Sequence, residues 1–248
     1  MAEAAKSNTI NPKKRDQHRT GKICENLPYS AREAFKRLRT NVLIALDQEK
    51  ECSVIGVTSA QPAEGKSTTT INLAYSLAEL KKSVLLIDGD MRRPAVHSAV
   101  GCELNPGLSD ILSGAQNLKD CIVRYRSRSD GTCFDFIPGG GCPDNPSELL
   151  NSSRFQKLIE VVSNVYDYVL VDLPPVNAVV DAVNASKYMD GLVVVIRENH
   201  CSRSVLDSCL EQLRYAKANI LGFVMNGCVE GSGKRYQYIQ PYYYRSDR

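Results

Sequence analysis

The chain lacks any apolar run approaching the roughly 20 residues that a membrane-spanning helix needs, and no signal peptide is read at its start. A membrane-embedded function is thereby excluded and a cytoplasmic protein is expected. Cysteine spacing of a metal-holding kind is also missing: the nine cysteines are an odd number and none forms a C-x-x-C pair, which leaves reduced thiols in a cytosolic protein. Nor is one sign of charge dominant, since 31 Lys and Arg against 28 Asp and Glu give a formal +3, too mild to mark a nucleic-acid binder. The three histidines, His18, His97 and His200, are scattered, and no catalytic role is assigned to them. No internal repeat is visible.

What is present fits one large α/β domain of 248 residues, long enough to bury a substantial core. Charge is spread unevenly. Residues 1–40 hold ten Lys or Arg and four Asp or Glu, net +6, so the remainder carries −3. The basic segment 1–28, with Lys13, Lys14 and Arg15 in a row, has no apolar periodicity and is expected to be flexible, either a solubilising tail or a stretch drawn to an anionic membrane leaflet. A globular domain over 29–230 and a flexible tyrosine-rich tail over 231–248 complete the expected organisation.

The most informative stretch runs from Val54 to Thr68. An apolar strand enters a loop ending in Gly65-Lys66-Ser67, and a helical pattern follows. Backbone N–H groups at a helix N-terminus suit an anion, a lysine ammonium there reaches the outer phosphates of a nucleotide, and a serine hydroxyl can ligate Mg²⁺. Ala60 stands where the general pattern has glycine, so the assignment leans on two further segments. Val84–Arg92 and Tyr168–Pro175 each read as a buried strand of four apolar residues ending in aspartate, Asp88 and Asp172. In an open parallel sheet such strand ends converge on the ligand crevice.

The wider pattern agrees. Strands are expected at Ser53–Thr58, Ser83–Ile87, Cys133–Ile137, Tyr168–Val171, Leu192–Ile196 and Ile220–Met225. Helices are expected at Ser30–Leu46, Ser67–Leu80, Leu108–Leu112, Pro146–Leu150, Arg154–Asn164, Ala182–Lys187 and Arg203–Lys217. Solidly apolar strands alternating with helices predict an α/β fold, a P-loop NTPase-like parallel β-sheet with helices on both faces. The turn-rich loop Pro138–Pro146 should lie on the same rim as the phosphate loop. Five of the twelve tyrosines fall within the last thirteen residues: Tyr236, Tyr238, Tyr242, Tyr243 and Tyr244.

Taken together, these residues resemble the bacterial tyrosine kinases that regulate capsular and exopolysaccharide synthesis, over nearly all of residues 29–248. The resemblance rests on Pro62–Thr68, on Ile87–Arg92, on Asp172–Pro175, on the helix motif Glu33–Asn41 and on the terminal tyrosine cluster. It implies an ATP-dependent autokinase that modifies those five tyrosines in a neighbouring subunit. Ala63, Glu64, Gly65, Lys66, Ser67 and Thr68 would then hold ATP, and Ser67, Asp88 and Asp172 would hold Mg²⁺. Lys66, Asp88, Asp90 and Asp172 would be the catalytic set, with Asp88 as base toward the acceptor hydroxyl and Asp90 assisting. Glu33, Lys36 and Arg39 would join subunits into a homo-oligomeric ring, and a membrane protein's cytoplasmic tail would activate the chain at the inner face of the membrane.

Two positions depart from the family pattern. Ala63 replaces a glycine, which is costly if that position needs a positive φ. Lys36 replaces the first arginine of Glu-x-x-Arg-x-x-Arg and cannot reproduce a bidentate fork, so weaker self-assembly is expected. Two other readings remain open: a positioning ATPase of the septum-placing or partitioning type, and a non-catalytic assembly module switched by nucleotide. The first usually carries an extra lysine where this chain has Gln61 and lacks a tyrosine cluster. Mg-ATP turnover separates the second from both enzymes.

Overall fold

The computed structural model describes residues 23–47 and 49–228. Its centre is a seven-stranded sheet: β1 (Ser53–Ser59), β2 (Val84–Asp88), β3 (Val123–Arg126), β4 (Cys133–Ile137), β5 (Tyr168–Asp172), β6 (Gly191–Arg197) and β7 (Ile220–Asn226), in the order β3-β4-β2-β5-β1-β6-β7. Every pairing is parallel except β3 with β4.

The apolar strands alternate between two cores. Val54, Leu85, Val169, Val171, Leu192 and Val194 face one side, where α7 (Ser153–Ser163) brings Phe155 and Leu158 and α9 (Arg203–Tyr215) brings Cys209 and Leu213. Ile55, Val57, Leu86, Leu170, Val193 and Val195 face the other, against Val42 of α1 (Tyr29–Ala45) and Leu73 and Leu77 of α2 (Lys66–Ala78). Burial on both faces is why β1, β2, β5 and β6 read as continuous apolar runs rather than alternating ones. Local signals fix several helix starts: the hydroxyls of Ser152 and Ser202 accept the backbone N–H groups of Phe155 and Val205 and so cap α7 and α9.

The expected strands and main helices are present, and the P-loop NTPase-like fold stands. The exception to a wholly parallel sheet is β3, to which the sequence reading assigns no element. In Val123–Arg126 only Tyr125 points into the core, stacked on Phe134 at 4.8 Å, while Arg124 pairs with Asp135 at 2.7 Å. Two arginines in four residues hide the strand. Three short helices complete the intervening chain: α3 (Val96–Val100), α4 (Leu108–Ser113) and α5 (Leu118–Cys121), followed by α6 (Pro146–Leu150) and α8 (Asp181–Ser186). α3 and α5 were not expected.

Before α1 the chain already packs. Ile23 and Cys24 are buried in the α1/α2 core. The Glu25 carboxylate accepts hydrogen bonds from Tyr125 Oη at 2.8 Å, Ser127 Oγ at 2.8 Å and the Arg128 N–H at 3.1 Å. The packed fold therefore reaches into the segment assigned to the basic tail, residues 1–28. Residues 1–22 and the tyrosine cluster Tyr236–Tyr244 lie outside the described residues.

Candidate functional site

The C-terminal ends of β1, β5 and β2 lie side by side, with Val57 in register with Asp172 and Asp172 in register with Asp88. The loop leaving β1 wraps toward α2 and ends at Gly65, whose φ of +91° is left-handed and whose absent Cβ would fall 1.9 Å from Asn226 Nδ2. Conformation and space both require glycine there.

Ala63 answers the question posed by its departure from the family pattern: its φ is +65°, a conformation that costs an L-residue about 1–2 kcal/mol. Ala63→Gly removes that strain but loosens the unfolded chain by a smaller amount. The variant is therefore expected to be more stable by about 1 kcal/mol, read as a higher denaturation midpoint; equal or lower stability would show that the loop is not strained here.

The loop is braced from outside as well. Its carbonyl oxygens at Pro62, Ala63 and Glu64 accept from His200 Nε2 at 3.1 Å, Arg197 Nη1 at 3.2 Å and Asn226 Nδ2 at 2.9 Å. Gln61 Nε2 donates to the His200 carbonyl at 2.8 Å. The Glu64 side chain turns inward, fully buried, where one carboxylate oxygen accepts the Gln61 N–H at 3.0 Å and the other has no hydrogen-bond partner. Any contact of Glu64 with phosphate would be through its backbone.

Lys66 begins α2 with its ammonium 2.9 Å from Asp90 Oδ2 and 3.8 Å from Asp172 Oδ2. Burial opposes its charge, but Asp172, Asp90 and Asp88 outweigh that and hold its pKa above the ordinary lysine value. Ser67 Oγ donates to Asp172 Oδ2 at 2.6 Å, and Thr70 Oγ1 donates to Asp172 Oδ1 at 3.0 Å. Burial still pushes the Asp172 carboxyl up, with Lys66, Ser67 and Thr70 pulling against it.

Asp88 is more extreme. One oxygen accepts the N–H groups of Ala95 at 3.2 Å and Val96 at 3.1 Å, while the other is buried without a partner. Burial, then the neighbouring Asp172 charge, raise its pKa well above the usual carboxylate range. An orphaned oxygen on a buried acid is a group waiting for a proton, a cation or a donor.

The next turn is pinned by a network that the sequence reading missed. Arg92 Nε and Nη2 donate to both oxygens of fully buried Asp181 at 2.9 and 3.3 Å, and Ser147 Oγ shares that carboxylate. The network ties the chain after Asp90 to the starts of α6 and α8. Beside it, the loop after β4 reaches the expected rim: a Cβ at Gly139 would lie 3.0 Å from Pro94 and 3.5 Å from the Asp88 carbonyl.

No cluster of three or more His, Cys, Asp or Glu side chains with metal-binding geometry occurs among the described residues. Mg²⁺ is commonly held by one or two carboxylates together with a nucleotide's own phosphates. Ser67 and Asp172, already in contact, are a suitable pair, and the orphaned oxygen of Asp88 lies nearby on the adjacent strand.

On α1 the three residues expected to join subunits are divided. Lys36 pairs with Glu33 at 2.8 Å, one helical turn away. Arg39 instead reaches α2 of its own chain, donating to the Ser76 carbonyl at 2.5 Å and lying 3.4 Å from Glu79. No helix among the described residues is long and apolar enough to cross a membrane.

Comparison with known proteins adds the following. A family model described as an AAA domain matches residues 52–221. The tyrosine-protein kinase YwqD of Bacillus subtilis is 35% identical over 195 residues, which cover 79% of this chain and 80% of that protein. Tyrosine-protein kinase CpsD of Streptococcus agalactiae is 33% identical over 78% of this chain and 82% of its own. The solved kinase domain of the Escherichia coli tyrosine kinase ETK superposes with a TM-score of 0.77 at 32% identity, covering 82% of this chain and 78% of that one.

Proposed function

This chain belongs to the bacterial tyrosine kinases, and from that membership we propose that its ATP-dependent tyrosine-kinase domain transfers phosphate to the terminal tyrosines of a neighbouring copy, in the service of capsular or exopolysaccharide synthesis. The observation that carries the residue assignment is the meeting of Lys66, Asp90, Asp172 and Asp88 beside a loop whose glycine is left-handed.

A tyrosine hydroxyl has a pKa of about 10, so its attack on phosphorus needs a proton acceptor alongside and a neutralised phosphate ahead. In this reading Asp88 supplies the acceptor through its orphaned oxygen, and Lys66 leaves Asp90 to meet the phosphates. Ser67 and Asp172 would hold Mg²⁺, whose positive charge offsets the charge that builds on the phosphate oxygens. Asp90 holds the lysine until nucleotide arrives, and the N–H groups of the loop around Ala63–Ser67 orient the phosphates. Thr68 lies on the first turn of α2 and contributes its backbone. Most of the acceleration is then positioning and charge stabilisation rather than covalent chemistry.

Assembly through α1 and activation by the cytoplasmic tail of a membrane partner belong to the same proposal. With Arg39 engaged in its own chain and lysine at position 36, the contact offered by α1 is modest, which supports a weakly associating oligomer. A positioning ATPase is the less favoured reading: Gln61 occupies the position of that class's extra lysine and is used to bond the His200 carbonyl.

Incubating the purified chain with Mg-ATP and mapping phosphotyrosine by mass spectrometry tests the proposal. Phosphate is expected on Tyr236, Tyr238, Tyr242, Tyr243 and Tyr244, and replacing all five by Phe should remove it while light scattering reports unchanged assembly. Phosphate mainly on Tyr75 or Tyr166 would defeat it, and both are poorly placed: Tyr75 is 2% exposed, and the Tyr166 hydroxyl donates to Asp135 at 2.8 Å.

A further inference from the structure

We propose that Arg197, His200 and Asn226 are positioning residues for phosphoryl transfer, holding the phosphate loop in its binding conformation and compensating for the alanine at position 63. The inference rests on the reading of this loop as the ATP site. Three consecutive carbonyls, those of Pro62, Ala63 and Glu64, each accept one hydrogen bond from a side chain at the C-terminal end of β6, just beyond it, or at the end of β7. Each of these carbonyls shares a planar peptide with the N–H of the following residue, which points the opposite way. Fixing the three oxygens outward therefore aims the N–H groups of Ala63, Glu64 and Gly65 inward, as an anion-binding nest requires.

The three donors are themselves well placed. Arg197 and Asn226 are register partners on adjacent strands, and the Glu198 N–H donates to the Asn226 carbonyl at 2.9 Å. Asn226 Oδ1 accepts the Gly227 N–H at 2.8 Å, which orients the amide so that its nitrogen faces Glu64. A carbonyl can only accept, so His200 carries its proton on Nε2.

Ala63 gives the arrangement its purpose. A left-handed alanine is drawn toward negative φ, and the flip of the Pro62–Ala63 peptide that would relieve it turns the Pro62 oxygen inward, against an incoming phosphate. The His200 imidazole opposes that flip by binding this oxygen, and Arg197 and Asn226 hold the two peptides that follow. Where glycine occupies this position no such pull exists, and the histidine has less to do.

Titration calorimetry of Mg-ADP into the full chain tests the idea in two backgrounds. His200→Ala is expected to weaken binding roughly tenfold with Ala63 in place, and by less than about threefold in Ala63→Gly. His200→Gln should restore most of the affinity, since one N–H donor serves one carbonyl. In kinase assays the loss should fall mainly on KM for ATP rather than kcat. Amide hydrogen exchange of residues 63–66 in nucleotide-free protein should quicken in His200→Ala and in Asn226→Ala, a readout that needs no nucleotide. Equal losses in both backgrounds, or unchanged affinity together with unchanged exchange, would overturn the inference. A wild-type chain that binds no Mg-ADP would instead overturn the ATP-site reading, leaving the exchange rates to decide whether these residues hold the loop.

Discussion

Lys66→Met is expected to abolish autophosphorylation, with a fall of at least roughly a thousandfold, and to weaken Mg-ADP binding more than tenfold. The ammonium is the one full positive charge that the loop and the first turn of α2 present to phosphate. Removing a single preorganised donor from a developing negative charge already costs about 10²–10³ in rate, and here a whole charge goes with it. The variant should still fold. Its site keeps Asp88, Asp90 and Asp172 without their counter-ion, and since Asp88 and Asp172 already sit above the ordinary carboxylate pKa, they respond by taking up protons rather than by forcing the site apart. Calorimetry giving equal nucleotide affinity for wild type and Lys66→Met would sink the assignment of the phosphate site.

Asp88→Asn separates binding from transfer. Phosphotyrosine formation should fall by about 10²–10⁴, the usual contribution of a positioned base, while Mg-ADP affinity changes by less than about threefold. Stability should move the other way. Because the folded-state pKa of Asp88 is raised, the folded nucleotide-free protein keeps a proton on this group to higher pH than the unfolded chain does. Stability from this group is fully present below the unfolded value near 3.8 and is lost as pH climbs toward the raised folded value. Asparagine keeps the acceptor for the Ala95 and Val96 N–H groups and removes the repulsion from Asp172. The nucleotide-free variant is expected to be more stable than wild type at neutral pH, read as a higher denaturation midpoint, with the advantage vanishing at low pH. An activity close to wild type would remove Asp88 from the base role.

Much of this site could be read from the chain because strands buried on both faces announce themselves. Ile87-Asp88 and Val171-Asp172 stand out as apolar runs broken by an acid, and the structure sets those two acids in register. The last two strands carry the same signal. Ile196-Arg197 and Met225-Asn226 are likewise apolar runs ending in a polar residue, and that signal would have found two of the three loop-holding side chains. His200 offers no such signal, since it sits three residues beyond a strand in a turn. Asp181 was out of reach for another reason: nothing in Val179–Ala182 shows that its carboxylate meets an arginine 89 residues earlier. The φ of Ala63 marks the same boundary. Composition could pose the question of strain, and only the backbone could answer it.

The clasp formed by Glu25 also bears on the order of events at the ribosome. Its partner Tyr125 lies 100 residues further along the chain. At synthesis rates of about 5–20 residues per second, Glu25 waits on the order of 5–20 s after it emerges before the strand it binds has been made. The first part of the described chain to leave the ribosome thus closes over an edge strand that has to exist before it.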